Sequence, residues 1–224
     1  MHAVPGQHDL PHHQLSDITK SAYWTLVENG KIINLNYLQP VEVESQGQIL
    51  RLWGFPWGTE LVSLEAPHDM MIEIAVVHKY LWIPGKRYEG APVESRVGKS
   101  KSKLRGYGIV VSGDNHIPWT AKMSCANSPN DLYGVTLFNC GCLIPRRIDE
   151  RKIKPSVGIL YSDNTIKRHY LDTSQDVWLD VSLNSSVPPI GFETLIESLS
   201  ELGSSAINFT DTIKQLMERE KVNK

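Results

Sequence analysis

Three short stretches of this chain bring together side chains that can hold a divalent cation. They are Gly6-Gln7-His8-Asp9, the single His78 that closes an apolar run, and Gly113-Asp114-Asn115-His116. Imidazole, carboxylate and side-chain amide are the ligands of a hard or borderline divalent metal. Taken singly, each has a plainer reading: a lone histidine at the end of an apolar run is usually structural, and Asp-Asn is usually a turn. The ordered set of three, each at the start of a polar loop, points instead to a metal centre.

The elements around these stretches explain how they could meet. Residues 72–78, Ile-Glu-Ile-Ala-Val-Val-His, form an almost continuous apolar run, the pattern of a strand covered on both faces. Residues 107–116 repeat the pattern in Tyr-Gly-Ile-Val-Val-Ser-Gly-Asp-Asn-His. Polar residues at the carboxyl ends of buried strands collect chemistry at one edge of an α/β sheet. Elsewhere, residues 14–29 read as one helix, with Leu15, Ile18, Ala22 and Leu26 on its apolar stripe and Asn29-Gly30 as its end. Residues 31–38, 40–45 and 47–58 read as strands. So do runs within 133–185, where Asp163-Asn164 predicts a hairpin turn. The stretch 89–108 reads as partly helical and basic. Beyond Pro188-Pro189, two helical segments form a tail.

The ordered motifs resemble the second half of the calcineurin-like metallophosphoesterases. That family shows Asp-x-His, Gly-Asp-x-x-Asp, Gly-Asn-His-Asp/Glu, a strand-terminal His and Gly-His-x-His. Gly6-Gln7-His8-Asp9 looks like the third motif with Gln for Asn, and His78 like the fourth. Gly113-Asp114-Asn115-His116 looks like the fifth with Asp for its first His. Residues 145–174 are similar to the end of bacterial and phage DNA-repair exonuclease (SbcD-like) members. The resemblance runs to about residue 185. It implies a two-sheet sandwich flanked by helices, and two-metal hydrolysis of a phosphoester. Gln7, His78 and Asp114 would hold one metal and His116 would reach the other. His8 would donate a proton to the leaving oxygen, and Asp9 would brace its loop. Oxygen for nitrogen at Asp114 tilts the choice of the two divalent ions toward Mn2+. Arg146 and Arg147 are placed to meet substrate phosphates.

The first two motifs do not occur before Gly6. The resemblance therefore implies an α/β (α+β) fold that is partial, lacking its N-terminal half. It would comprise a core portion over 1–132, a β-rich closing segment of the same domain over 133–187 and a helical tail over 188–224. A complementing N-terminal metallophosphoesterase segment is the partner this implies, and DNA the expected substrate. Two alternatives stand beside the nuclease reading: a phosphodiesterase or phosphatase for small molecules, and a non-catalytic remnant acting as a binding module.

Composition sets the bounds. The 224 residues are 41% hydrophobic and 21% charged, with a net charge of −2, so bulk positive charge is not what would hold nucleic acid. A chain of this length can bury roughly 70% of its unfolded surface and needs no disulfide framework. Three cysteines, no apolar run of membrane-spanning length and an amino terminus resembling neither a signal nor a transit peptide point to a reducing cytoplasm. Cys140-x-Cys142 with Cys125 lacks the paired Cys-x-x-Cys spacing of a zinc knuckle, and the thiols read as structural. The basic run from Arg96 to Arg105 reads as a solvated face. Trp53, Trp57 and Trp82 read as core or loop anchors.

Overall fold

The computed structural model describes residues 1–65, 71–124 and 134–178, and shows a mixed α/β fold dominated by sheet. Its centre is a six-stranded sheet. The strands are β3 (Val41–Ser45), β4 (Gln48–Phe55), β5 (Met71–Val77), β6 (Ile109–Ser112), β7 (Trp119–Met123) and β8 (Val135–Asn139), in the order β3-β4-β5-β6-β8-β7. The run β4, β5, β6, β8 is parallel, and antiparallel β3 and β7 close its two edges. β3 and β4 are joined by Gln46-Gly47, both at positive φ (51° and 77°), the tight turn whose twist suits a hairpin. The largely apolar sequences of β5, β6 and β8 match their central places. β8 is buried at every residue, as a parallel strand covered on both faces must be.

Alternation along the strands sorts the residues onto two faces. Phe55, Ala75, Val77, Val110, Trp119, Val135 and Leu137 share one face and pack with Leu61, Leu81, Val97, Leu104 and Tyr107. Val97 and Leu104 are the first and last residues of a 3-10 segment over Val97–Leu104, so the basic run is one side of a layer that also closes the core. Lys103 and Lys79 both pair with Glu60, and Arg96 lies 5.9 Å from the Trp82 ring centre. On the opposite face, Phe138 meets a separate hairpin of β9 (Ser156–Leu160) and β10 (Ile166–Tyr170). Arg168 stacks 4.7 Å over the Phe138 ring. Its guanidinium donates to the carbonyls of Trp119, Asn139 and Cys140 and to Ser156 Oγ, which ties the hairpin to β7 and β8. β8 falls in the segment 133–187 yet lies between β6 and β7, so that segment and the one before it share one sheet.

The helix read over 14–29 is broken. A 3-10 segment covers Leu15–Lys20, and α1 covers only Ala22–Glu28. The break is at Ser21, which is extended and caps α1 by accepting from the Trp24 amide at 3.0 Å. The buried face also differs from the stripe read in the sequence. Tyr23 is buried and donates to Ala3 O and Asn34 Oδ1, whereas Leu15 and Leu26 are exposed. The strand read over 31–38 is reduced to β2 (Ile33–Asn34), paired in parallel with β1 (His2–Ala3). Flanking helices are correspondingly few: α1 is the one α-helix among the described residues. The chain divides into two compact units, Met1–Gln175 and Asp176–Lys224. Cys125, the 188 boundary and the helical tail lie outside the described residues. Among the described residues, no helix is long and apolar enough to cross a membrane.

Candidate metal centre

Parallel strands end together, and here β4, β5, β6 and β8 deliver their following loops to one edge of the sheet. His78 is the first residue past β5, and its amide donates to Phe55 O at the end of β4. Gly113-Asp114 is the first pair past β6, and the Gly113 amide donates to Val77 O. Past β8 come Cys140, Gly141 and Cys142. The Gly6–Asp9 loop arrives from outside the large sheet and is fastened to the turn after β4 by Trp57 N donating to Pro5 O, at 3.0 Å.

The loops meet around the His78 imidazole. Its Nε2 lies 2.8 Å from Gln7 Oε1, and Gln7 Nε2 donates to Asp114 Oδ1 at 3.0 Å. Imidazole, amide and carboxylate thus form one chain across three segments that are 71 and 107 residues apart in sequence from Gln7. Two glycines make room for the ring. A Cβ on Gly6 would sit 2.5 Å from His78 Cε1, and one on Gly113 would sit 3.1 Å from Nδ1. Burial holds His78 below the ordinary histidine range. Asp114 and Asp9 partly offset this, while His8 and His116 add to it. The neutral ring that results is the form a metal takes up.

The remaining residues of the motifs divide by role. Asp9 Oδ2 accepts from the Gly6 amide at 2.8 Å while the Asp9 amide donates to Gly6 O, so its carboxylate closes the loop on itself. His8 is exposed, with its ring edge-on to His13 at 5.5 Å between centroids. Asp114 is held at φ 70°, the left-handed region that Asp and Asn tolerate best among non-glycine residues. Asn115 is buried and structural: its Nδ2 donates to Leu81 O and Lys86 O, and its Oδ1 accepts from the Ile117 amide.

His116 turns to a residue the motifs do not contain. Its Nδ1 is 2.5 Å from Glu150 Oε1, and the other oxygen of Glu150 accepts the amides of Arg146 and Arg147 at 2.9 and 3.2 Å. Burial opposes ionisation of Glu150. The Arg146 amide, His116 and the Arg147 amide outweigh it and hold the carboxyl down to about 2. Cys142 Sγ approaches Glu150 Oε2 at 3.8 Å, so His116, Cys142 and Glu150 offer ligand atoms all within 4.8 Å. Arg146, Arg147 and His116 line one cleft with these residues. Cys140 and Cys142 are free thiols, and burial raises both. The nearness of Glu150 and Cys142 to His116 left only a faint trace in the sequence, the acidic residue three positions past Arg147 that closes a short 3-10 turn over Ile148–Glu150.

The residues at His78 suit a hard divalent ion. The donor set is oxygen, nitrogen and oxygen. The 2.8 Å between His78 Nε2 and Gln7 Oε1 matches one edge of an octahedron, roughly 3 Å for ligands at about 2.1 Å, and Asp114 Oδ1 lies 3.0 Å from the other atom of the same amide, Gln7 Nε2. The chain matches no protein-family model and no curated protein.

Proposed function

We propose that this chain is a metal-dependent phosphoester hydrolase of the calcineurin-like type, carrying the C-terminal portion of a nuclease centre. The observation that carries the reading is the meeting of Gln7, His78 and Asp114 at one sheet edge. Those three residues would hold one Mn2+, and His116 would reach a second; two such ions would supply activation of the attacking water and charge for the phosphoryl oxygens. His8, exposed and carried on the Asp9-braced loop, delivers a proton to the leaving oxygen. Arg146 and Arg147, beside His116, receive phosphate oxygens. On this reading the six-stranded sheet is one layer of the family's two-sheet sandwich, and the free thiols suit a reducing cytoplasm.

A polynucleotide is favoured over a small phosphodiester by a second cleft that begins one residue past His116. It is lined by Ile117, Lys86, Lys152, Lys154 and Tyr170, with Asp172 as its carboxylate. Lysines from two segments on one cleft, in a chain of net charge −2, suit a phosphate backbone. The other ligands of the family's centre belong to Asp-x-His and Gly-Asp-x-x-Asp motifs, and we assign them to a complementing segment outside these 224 residues. Met1 and Ile33, joined by the Ile33 N to Met1 O hydrogen bond at the β1–β2 pair, expose apolar side chains that a docked segment would cover.

A second reading has its own observation. Gln7 satisfies both His78 and Asp114 by hydrogen bonds, so the three also form a self-sufficient polar network, as a non-catalytic remnant would keep. Titration of the full chain with Mn2+ by calorimetry separates the readings. Saturable binding that is lost in His78→Ala and Asp114→Ala supports the hydrolase. Equal heats from native and substituted chains would leave the remnant. With the complementing segment added, cleavage of a linear duplex but not of a small phosphodiester identifies the nuclease, and the reverse identifies the small-molecule enzyme.

A further inference from the structure

Glu150 stands outside every motif, yet it is the residue that His116 depends on. Its side chain is only 6% exposed, and Oε2 is taken by the amides of Arg146 and Arg147. The carboxylate is therefore fixed by its own loop, whatever His116 does. His116 is the opposite case. Its backbone is secured, since His116 O accepts the Cys142 amide at 3.0 Å, but its side chain is 56% exposed. Glu150 Oε1 is the one hydrogen-bond partner of the ring among the described residues.

We infer that Glu150 is the positioning residue for His116: its Oε1 accepts a hydrogen bond from Nδ1–H, fixes the ring's orientation, and leaves the Nε2 lone pair offered to a metal. This deepens the hydrolase reading and rests on it. A carboxylate behind a ligating imidazole fixes the tautomer and raises the basicity of the ligand nitrogen. The same carboxylate holds the Arg146–Arg147 backbone, so the metal-facing imidazole and the phosphate-facing arginines keep a common reference point. The competing use of these atoms is a thiophilic metal held by His116, Cys142 and Glu150 together. Saturation of Glu150 by two backbone amides argues for the positioning role.

The substitution Glu150→Gln separates the possibilities while preserving the turn. The two amides demand an oxygen at the Oε2 position, so the new NH2 group must face His116. It then donates to Nδ1 and forces the proton onto Nε2. Nitrogen-15 spectra of the histidine-labelled full chain at mildly alkaline pH report this directly. The native chain is expected to show His116 protonated at Nδ1, and Glu150→Gln is expected to show it protonated at Nε2. Mn2+ affinity, measured with the complementing segment present, should fall about ten- to hundred-fold in Glu150→Gln. It should be unchanged in Cys142→Ser. A native ring protonated at Nε2, or a Glu150→Gln chain with native Mn2+ affinity, would overturn the inference alone. Stoichiometric Zn2+ binding abolished equally by Cys142→Ser and Glu150→Gln would also overturn it, in favour of the three-residue site. No Mn2+ binding by the native chain would overturn the hydrolase reading and the inference with it.

Discussion

A methyl group on Gly6 would lie 2.5 Å from Cε1 and 2.6 Å from Nε2 of the His78 imidazole. Gly6 has φ −91°, so the glycine is required for space and not for backbone freedom. Gly6→Ala must push the ring away from Gln7 Oε1. The expected result is at least a tenfold loss of Mn2+ affinity, about 1.4 kcal/mol, with a stability cost of about 1–3 kcal/mol from overpacking. Gly98→Ala is the control, because a Cβ there meets nothing within 4 Å. Calorimetric titration and urea unfolding of both variants check the contrast.

The lysine-lined cleft predicts a salt signature. Lys152→Ala with Lys154→Ala removes two cations from the cleft. The slope of log affinity for a single-stranded oligonucleotide against log salt should flatten by about 1.4, from roughly 0.7 per phosphate contact. Fluorescence anisotropy across a salt series measures it. An unchanged slope would place the strand elsewhere.

Arg168 is expected to be a stability residue. Arg168→Met keeps volume beside Phe138 but removes the donors to Trp119 O, Asn139 O and Cys140 O. Loss of charge-assisted bonds of this kind should lower unfolding free energy by about 2–3 kcal/mol, read from the shift in urea midpoint. Mn2+ affinity should be retained, because the guanidinium acts on the hairpin and not on the His78 loops.

Acid should act through Glu60 in a defined window. Its hydrogen bonds to Lys103 and Lys79 hold its carboxyl down to about 2, from an ordinary 4.5. A lowered carboxyl favours the folded state above the unfolded value, and the contribution disappears as pH falls from about 4.5 toward 2. Glu60 is well exposed, so solvent screening limits the effect to about 0.2–1 kcal/mol. The native chain should exceed Glu60→Gln by that amount at pH 7 in urea unfolding, and the gap should narrow through this window.

The sheet was readable where burial leaves a one-letter trace. β5, β6 and β8 are largely apolar runs, and each ends where chemistry-bearing side chains begin. Trp119–Met123 went unread as a strand: Trp119, Ala121 and Met123 face the core, but Thr120 and Lys122 dilute the signal over only five residues. The 14–29 stretch misled because its aliphatic stripe is at helical spacing while Ser21 offers a cap in the middle, and local capping decided the break. The three loops that meet at His78 could be named from residue type and order. Glu150 could not, since its relation to His116 spans 34 residues and depends on a β8 loop that has no motif. The cation-pairing of Lys79, Lys103 and Glu60 was hidden for the same reason.

Asn115 sits between Asp114 and His116 but bonds to neither of their partners, holding instead Leu81 O, Lys86 O and the Ile117 amide. On the hydrolase reading, the Gly-Asp-Asn-His sequence thus interleaves two constraints, one on folding and one on reactivity. Under selection for a folded chain alone, His116 is free to drift, Asp114 is held to the residues that accept its φ of 70°, and Asn115 stays fixed. A randomised library of residues 113–116, sorted first for protease resistance and then for turnover with the complementing segment present, would show the middle amide surviving the first sieve and His116 only the second.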